Sequence, residues 1–110
     1  MISKEGFEMQ ARLCQAMGHA ARLEIIYILR DSSQHVNDLA KEMGLSQAAL
    51  SRHLAVLRNI GLVTVQRLGR ENIYQLANPK IVVICELMRQ ILAEQFTRQA
   101  ETANTLVKRD

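Results

Sequence analysis

The sequence predicts a mainly α-helical domain that carries one small β-hairpin. Apolar residues recur at helical spacing over much of the chain, and a glycine-containing turn joins a short helix to a longer one. A third observation is an alternating stretch that precedes a reversal at Gly69. With 110 residues, 48% of them hydrophobic and 23% charged, the chain is long enough for a modest core. We therefore expect residues 1–110 to form a single domain.

The first three helices are predicted from apolar spacing and from residues that end helices. Apolar positions recur at helical spacing in residues 4–17 and again in about residues 20–30. A shorter helix follows over about residues 36–43. Gly44 ends it, because glycine readily adopts the left-handed conformation that closes a helix.

A fourth helix begins after Ser46, a residue type that caps helix N-termini, and continues to Asn59. Three leucines form its predicted buried stripe: Leu50, Leu54 and Leu57. The third helix, the turn and the fourth helix together predict a helix-turn-helix over about residues 35–59.

The C-terminal half is predicted to contain a hairpin and a long helix. Residues 62–66 alternate as a strand, Gly69 allows a tight reversal, and the return strand reaches about residue 76, which gives a wing over about residues 62–76. A last helix over about residues 79–95 begins at a proline and has a broad apolar face. Beyond Gln95 the apolar pattern fades, and we expect the chain end to fray.

The net positive charge is confined to one segment. The chain has 14 basic and 11 acidic residues. Between Leu45 and Leu76, Glu71 is the one acidic residue, so this segment holds the whole formal charge of +3. The basic residues of the segment are Arg52, Arg58, Arg67 and Arg70. A cationic helix and hairpin are typical of polyanion binding, and we interpret the segment as a DNA-binding module.

The composition argues against several other classes of protein. Two cysteines without a C-x-x-C pair favour neither a disulfide scaffold nor a zinc site, and four aromatic residues are few for stacking on single strands. Neither a signal segment nor a membrane span is recognisable, so we expect a soluble cytoplasmic protein. No nucleophile–base pair or pair of carboxylates suggests an enzyme, and we expect no cofactor.

The order of elements resembles the ArsR/SmtB family of bacterial winged-helix repressors over about residues 9–95. The stretches that carry the likeness are AMGHAARLEIIYIL at 16–29, LAKEMGLSQAALSRHLAVLRNIGLV at 39–63 and RLGRENIYQL at 67–76. The resemblance implies a winged helix-turn-helix and a homodimer that pairs through its first and last helices, here about residues 4–17 and 79–95. It also implies a repressor that binds an inverted-repeat operator in double-stranded DNA and is released by a chemical signal.

The N-terminal part of the fourth helix is then expected to lie in the major groove. Gln47 can bind adenine through two hydrogen bonds, Arg52 can bind guanine or a phosphate, and Ala48 can contact only a thymine methyl group. The predicted DNA contacts of this helix are Ser46, Gln47, Ala48, Ser51, Arg52 and His53. The alternative is that these are solvated residues of an ordinary surface helix.

The wing supplies a second set of candidate contacts. Arg67 and Arg70 flank Gly69 and are expected to reach phosphates or the minor groove, with Asn72 as a secondary phosphate contact. The alternative is that these are solvated charges of an exposed hairpin. Arg22 matches an arginine of the family and is expected to have a structural role.

The sequence motifs of two kinds of metal site that the family uses are not found in this chain. The third-helix region, QHVNDLAKE at 34–42, has no cysteine, and the stretch IVVICELMRQILAEQ at 81–95 has no histidine. His35 is a single loop histidine. We therefore expect no metal site.

Cys14 and Cys85 remain as candidate sensor thiols. They lie on the first and last predicted helices, which the family pairs, so an oxidant, a persulfide or a metalloid could link them and shift the recognition helices. Thiol-sensing relatives use a cysteine of the second helix, and Tyr27 stands at that position here. The alternatives are inert packing of both thiols in a repressor without a small-molecule sensor, or a winged-helix module that binds proteins.

Overall fold

The computed structural model describes residues 1–107, which form five helices and three short strands. The helices are α1 (Lys4–Met17), α2 (Ala20–Leu29), α3 (Val36–Met43), α4 (Gln47–Asn59) and α5 (Lys80–Val107). The strands are β1 (Gln34–His35), β2 (Val63–Leu68) and β3 (Glu71–Leu76). The predicted fold, mainly helical with a small hairpin, is confirmed.

The ends of the helices follow local signals in the sequence. The Ser46 hydroxyl accepts a hydrogen bond from the Ala49 amide at 3.1 Å, which is the cap predicted for α4. Gly44 closes α3 with φ of 66°, a left-handed conformation that a side chain would disfavour. The turn between α3 and α4 is therefore specified by residues at its two ends.

The strands form one antiparallel sheet in the order β1–β3–β2. Val63 pairs with Leu76 and Leu68 pairs with Glu71, so the hairpin closes over Gly69, whose φ is 64°. Strand β1 was not predicted. It pairs only Gln34 and His35 with β3, and two residues are too few to give an alternating pattern.

The last helix extends further than predicted. Helix α5 continues past Gln95 to Val107, and the hydroxyl of Thr97 donates to the Ala93 carbonyl at 3.0 Å. The apolar pattern fades there because this part of α5 is exposed, and neither a glycine nor a proline interrupts the helix. The fraying predicted for the chain end concerns in part residues 108–110, which lie outside the described residues.

The core packs around the inner face of α4. Leu50, Leu54 and Leu57 are fully buried, as the sequence predicts. The other large side chains that are fully buried come from α2, α3 and β2: Ile25, Ile26, Leu39 and Val63. Helices α1 and α5 each add two buried residues to the same core. Helix α4 is thus held from one side, and its other side faces solvent. Within residues 1–107 no helix combines the length and apolar character that crossing a membrane requires.

Loss of the Ser46 cap should destabilise the domain without changing its core. We expect Ser46→Ala to lower the free energy of unfolding by about 1 kcal/mol, because the Ala49 amide loses its acceptor. Ser51→Ala, the same change at an exposed position within α4, should shift it by less than about 0.5 kcal/mol. Urea unfolding at one protein concentration measures both values. Equal effects of the two substitutions would contradict the capping role.

Candidate nucleic-acid interface

The residues predicted to contact DNA from α4 lie at its N-terminal end and on its outer side. Ser46, Gln47, Ala48, Ser51 and Arg52 are exposed, and His53 is partly buried. The buried leucines occupy the opposite side of the same helix. Packing of the core therefore leaves a polar surface of α4 free for a partner.

A polar cleft of about 480 Å³ lies between the start of α3, the start of α4 and the tip of the hairpin. It brings Gln47 together with Arg70 and Asn72, which are distant in sequence. It also contains Asn37 and Lys41 of α3. Neither residue was predicted as a DNA contact, because the third helix suggested from its sequence only a possible source of metal ligands. Two elements of the predicted DNA surface thus meet at one place.

Two side-chain contacts join the walls of this cleft. The Gln47 Nε2 group donates a hydrogen bond to the Asn37 Oδ1 atom, which links the first turns of α4 and α3. His35 Nδ1 lies 2.9 Å from Glu71 Oε2, at the point where β1 meets β3. The first contact joins the two helices of the helix-turn-helix, and the second joins the residue before α3 to the hairpin.

The two arginines of the hairpin differ in their surroundings. Arg67 Nε donates to the Gly69 carbonyl at 3.2 Å, so its guanidinium folds towards the turn. Arg70 stands next to Gly69 at the tip and is exposed. Both cations lie at the outer end of the hairpin, where a nucleic-acid backbone can approach them.

His53 packs against His19, with ring centroids 4.5 Å apart and the planes tilted by 55°. His19 caps α2, where its Nδ1 atom accepts from the Ala21 amide at 3.2 Å. Burial lowers the pKa of His53, and the neighbouring His19, Arg22 and Arg52 lower it further. At neutral pH His53 therefore offers a hydrogen-bonding ring rather than a positive charge.

Arg22 connects α2 to the end of α1. Its Nη2 group donates to the Gln15 carbonyl at 3.4 Å, a contact in keeping with the structural role expected for it. Arg22 and His19 both lie beside His53, a proximity that no local pattern in the sequence predicts.

The two cysteines have different environments. Cys14 is exposed on α1, whereas Cys85 is 4% exposed on α5. Burial raises the pKa of the Cys85 thiol. In the part of the chain that the structure describes, no group of three or more His, Cys, Asp or Glu residues could hold a metal ion.

Helix α5 presents a large uncovered apolar surface, which we name the α5 apolar face. Ile91 and Val83 are each 54% exposed, values unusual for such side chains on a folded domain. The face consists of Val83, Ile84, Leu87, Met88, Ile91 and Leu92. Contiguous exposed apolar surface of this kind marks a site of association.

Comparison with known proteins adds independent information. Residues 19–65, from the cap of α2 to the middle of β2, match the family model described as bacterial regulatory protein, arsR family. The HTH-type transcriptional regulator Rv0081 of Mycobacterium tuberculosis is 32% identical over 94 residues, which are 84% of this chain and 82% of that protein. The transcriptional activator HlyU of Vibrio cholerae is 34% identical, over 74% of this chain and 76% of that protein.

Solved structures agree with the sequence matches. The crystal structure of Rv0081 superposes with a TM-score of 0.81 at 29% identity, covering 89% of this chain and 99% of that one. The transcriptional repressor BigR from Xylella fastidiosa gives a TM-score of 0.68 at 27% identity, over 81% of this chain and 95% of that one. The winged helix-turn-helix architecture therefore extends over most of the chain.

The lowered pKa of His53 predicts how stability depends on pH. The folded chain binds a proton at His53 less readily than the unfolded chain, whose imidazole has the ordinary pKa of 6.5. The contribution of His53 to stability should thus be complete above about pH 6.5 and be lost as the pH falls below it. Urea unfolding between about pH 7.5 and 5 measures the slope of the free energy of unfolding against pH.

His53→Gln removes the titrating ring, so the free energy of unfolding should depend less on pH in this variant than in the wild-type chain. His35→Gln, which removes an imidazole from β1 instead, is the matched control and should keep the loss due to His53. An unchanged slope in His53→Gln would show that the ring does not carry the effect.

Proposed function

Since the chain belongs to the arsR family of bacterial regulatory proteins and is a DNA-binding transcriptional regulator, we propose that it acts as a homodimeric repressor at an inverted-repeat operator. The observation that carries this proposal is the two-sided character of α4. Buried leucines fix one side, and the side with Gln47 and Arg52 stays exposed next to a cationic hairpin. Such a surface suits double-stranded DNA, and the function places the protein in the cytoplasm with the chromosome.

We infer that the N-terminal end of α4 enters the major groove. There Gln47 and Ser51 lie at base edges, while Arg52 and His53 contact bases or the flanking backbone. Ser46 caps α4, and Ala48 lies in its first turn. The exposed position of this turn supports the assignment.

The hairpin is proposed to contact the DNA backbone beside the groove. Arg70 at the tip and Arg67 next to it would hold phosphates or enter the minor groove, with Asn72 as a further backbone contact. Arg70 and Asn72 line the same cleft as Gln47, which supports joint binding of one duplex by helix and hairpin.

The α5 apolar face is proposed to pair with a second copy of the chain, together with α1. Exposed apolar residues also occur on α1, at Phe7 and Met9. A two-fold dimer would present two copies of α4 to half-sites about one helical turn apart, roughly 34 Å, which is the geometry of an inverted repeat. A pure protein-docking module would also use an apolar helix, but it would not need the cationic hairpin.

Repression is the proposed outcome of binding. A dimer on an operator within a promoter blocks polymerase by occupancy alone and requires no further contact. Among the similar proteins, BigR is named a repressor and HlyU an activator. Promoter position would decide between the two outcomes for this chain.

Release by an oxidant, a persulfide or a metalloid acting on Cys14 and Cys85 stays a prediction. Cys14 is accessible to such reagents, whereas Cys85 packs in the core with a raised thiol pKa. A small thiolate fraction and low access both slow thiol chemistry. These facts favour the alternative of a repressor without a sensor built from this pair.

The proposed docking predicts different effects for helix and hairpin substitutions. The probe is a DNA duplex that the full chain selects from a randomised library. Gln47→Ala should reduce the preference for one base in each half-site by about 5- to 100-fold, because a two-hydrogen-bond contact is lost. Arg67→Ala should weaken all sequences alike and reduce the salt dependence of binding by about one phosphate contact. Fluorescence anisotropy at several salt concentrations measures both effects.

The matched controls are Gln99→Ala and Arg98→Ala, the same changes on the exposed distal part of α5. Neither control should alter base preference or salt dependence. If Gln47→Ala and Arg67→Ala both leave binding unchanged, the docking proposed here is wrong.

The proposed dimer predicts that a charge on the α5 apolar face separates the subunits. Ile91→Glu should raise the dimer dissociation constant at least about 100-fold, because a carboxylate would be buried without a partner. Gln90→Glu adds the same charge at the neighbouring exposed residue and should leave the dimer intact. Sedimentation velocity over a range of concentrations distinguishes the two. A wild-type chain that sediments as a monomer would overturn the dimer.

A further inference from the structure

We propose that Asn37 is a positioning residue for sequence recognition: it holds the Gln47 carboxamide in place before DNA binds. The inference rests on the proposed function, in which Gln47 lies at base edges in the major groove. Its basis is the hydrogen bond from Gln47 Nε2 to Asn37 Oδ1, which joins the two helices of the helix-turn-helix. Helix α3 would then take part in base discrimination as well as supporting α4.

The hydrogen bond leaves Gln47 with the groups that an adenine requires. A glutamine carboxamide has two N–H donors and one oxygen acceptor. Asn37 occupies one donor, so the second N–H and Oε1 remain available. Adenine presents an acceptor at N7 and a donor at N6 in the major groove, which matches this remaining pair.

The contact restricts where the Gln47 carboxamide lies. Each of the two carboxamides carries a donor and an acceptor, so Asn37 with its amide turned by 180° can also donate from Nδ2 to Gln47 Oε1. Asn37 therefore fixes the position of the Gln47 carboxamide, not which of its two ends is turned away. A Gln47 side chain held in one position can meet fewer base edges than a freely rotating one.

The two partners are held by rigid surroundings although both are exposed. Asn37 lies in the first turn of α3 and Gln47 in the first turn of α4. The helices are fixed by the buried residues Leu39 and Leu50. An exposed glutamine would otherwise lose its rotamer freedom only on binding, and prior ordering lowers that cost.

Measurement of base preference in a double-mutant cycle tests the proposal. The probe is the duplex selected by the wild-type chain and its three variants at the position that Gln47→Ala affects. Asn37→Ala should lower the preference there by about 2- to 10-fold, which corresponds to ordering one flexible side chain. Binding to a mixed-sequence duplex and the unfolding transition should stay unchanged. In the Gln47→Ala background, Asn37→Ala should have no further effect.

Two further variants separate positioning from a general structural role. Asn37→Asp keeps an acceptor oxygen towards Gln47, so it should retain the base preference while its charge weakens binding to every duplex. Asn59→Ala makes the same asparagine-to-alanine change at the exposed C-terminal end of α4 and should change neither quantity.

The outcomes distinguish this inference from the proposed function. If Gln47→Ala alters base preference and Asn37→Ala does not, the positioning role is overturned and the docking stands. The same conclusion follows if Asn37→Ala lowers the base preference equally in the wild-type chain and in the Gln47→Ala background. If Gln47→Ala alters no base preference, the proposed docking and the role of Asn37 are both overturned.

Discussion

Anchoring of α4 through one face is the constraint on which the rest of the structure depends. Leu50, Leu54 and Leu57 are fully buried, and α2, α3 and β2 supply the surface that receives them. Because the helix is held from one side only, its outer residues need no internal partner and can meet a groove. A helix that is buried on all sides could not enter a DNA groove. A helix without a buried face could not keep its exposed side chains at fixed positions relative to the bases.

The charged hairpin and α3 can act together with α4 because this anchoring fixes their positions relative to it. The sheet joins β3 to β1 directly before α3, so the hairpin is tied by backbone hydrogen bonds to the start of the helix-turn-helix. The resulting cleft combines groups from three segments, with the cations Lys41 and Arg70 and the carboxylates Asp38 and Glu71 on its walls. The tip of the hairpin and the polar first turn of α4 are thus located at adjacent parts of one surface.

Helix α5 shows a different balance of forces. Its N-terminal half is anchored by Ile81 and Cys85, yet it exposes a row of apolar side chains that this chain does not cover. Beyond Gln95 the helix continues with exposed residues and with the backbone hydrogen bonds of the helix itself. The burial of Cys85 is part of the same arrangement, since the side of α5 that carries this thiol faces the core.

The sequence by itself determined the first four helices and the start of the fifth, the cap at Ser46, the turn at Gly44 and the hairpin at Gly69, because each depends on local periodicity or on a residue with a special conformation. It also located the cationic segment, since charge is a property of composition. Tertiary structure alone decided which side chains meet. The pairs Asn37–Gln47 and His19–His53, and the short strand β1, join residues whose proximity depends on how helices and strands pack. Local sequence carries no signal for such contacts, because they are set by the relative placement of whole elements.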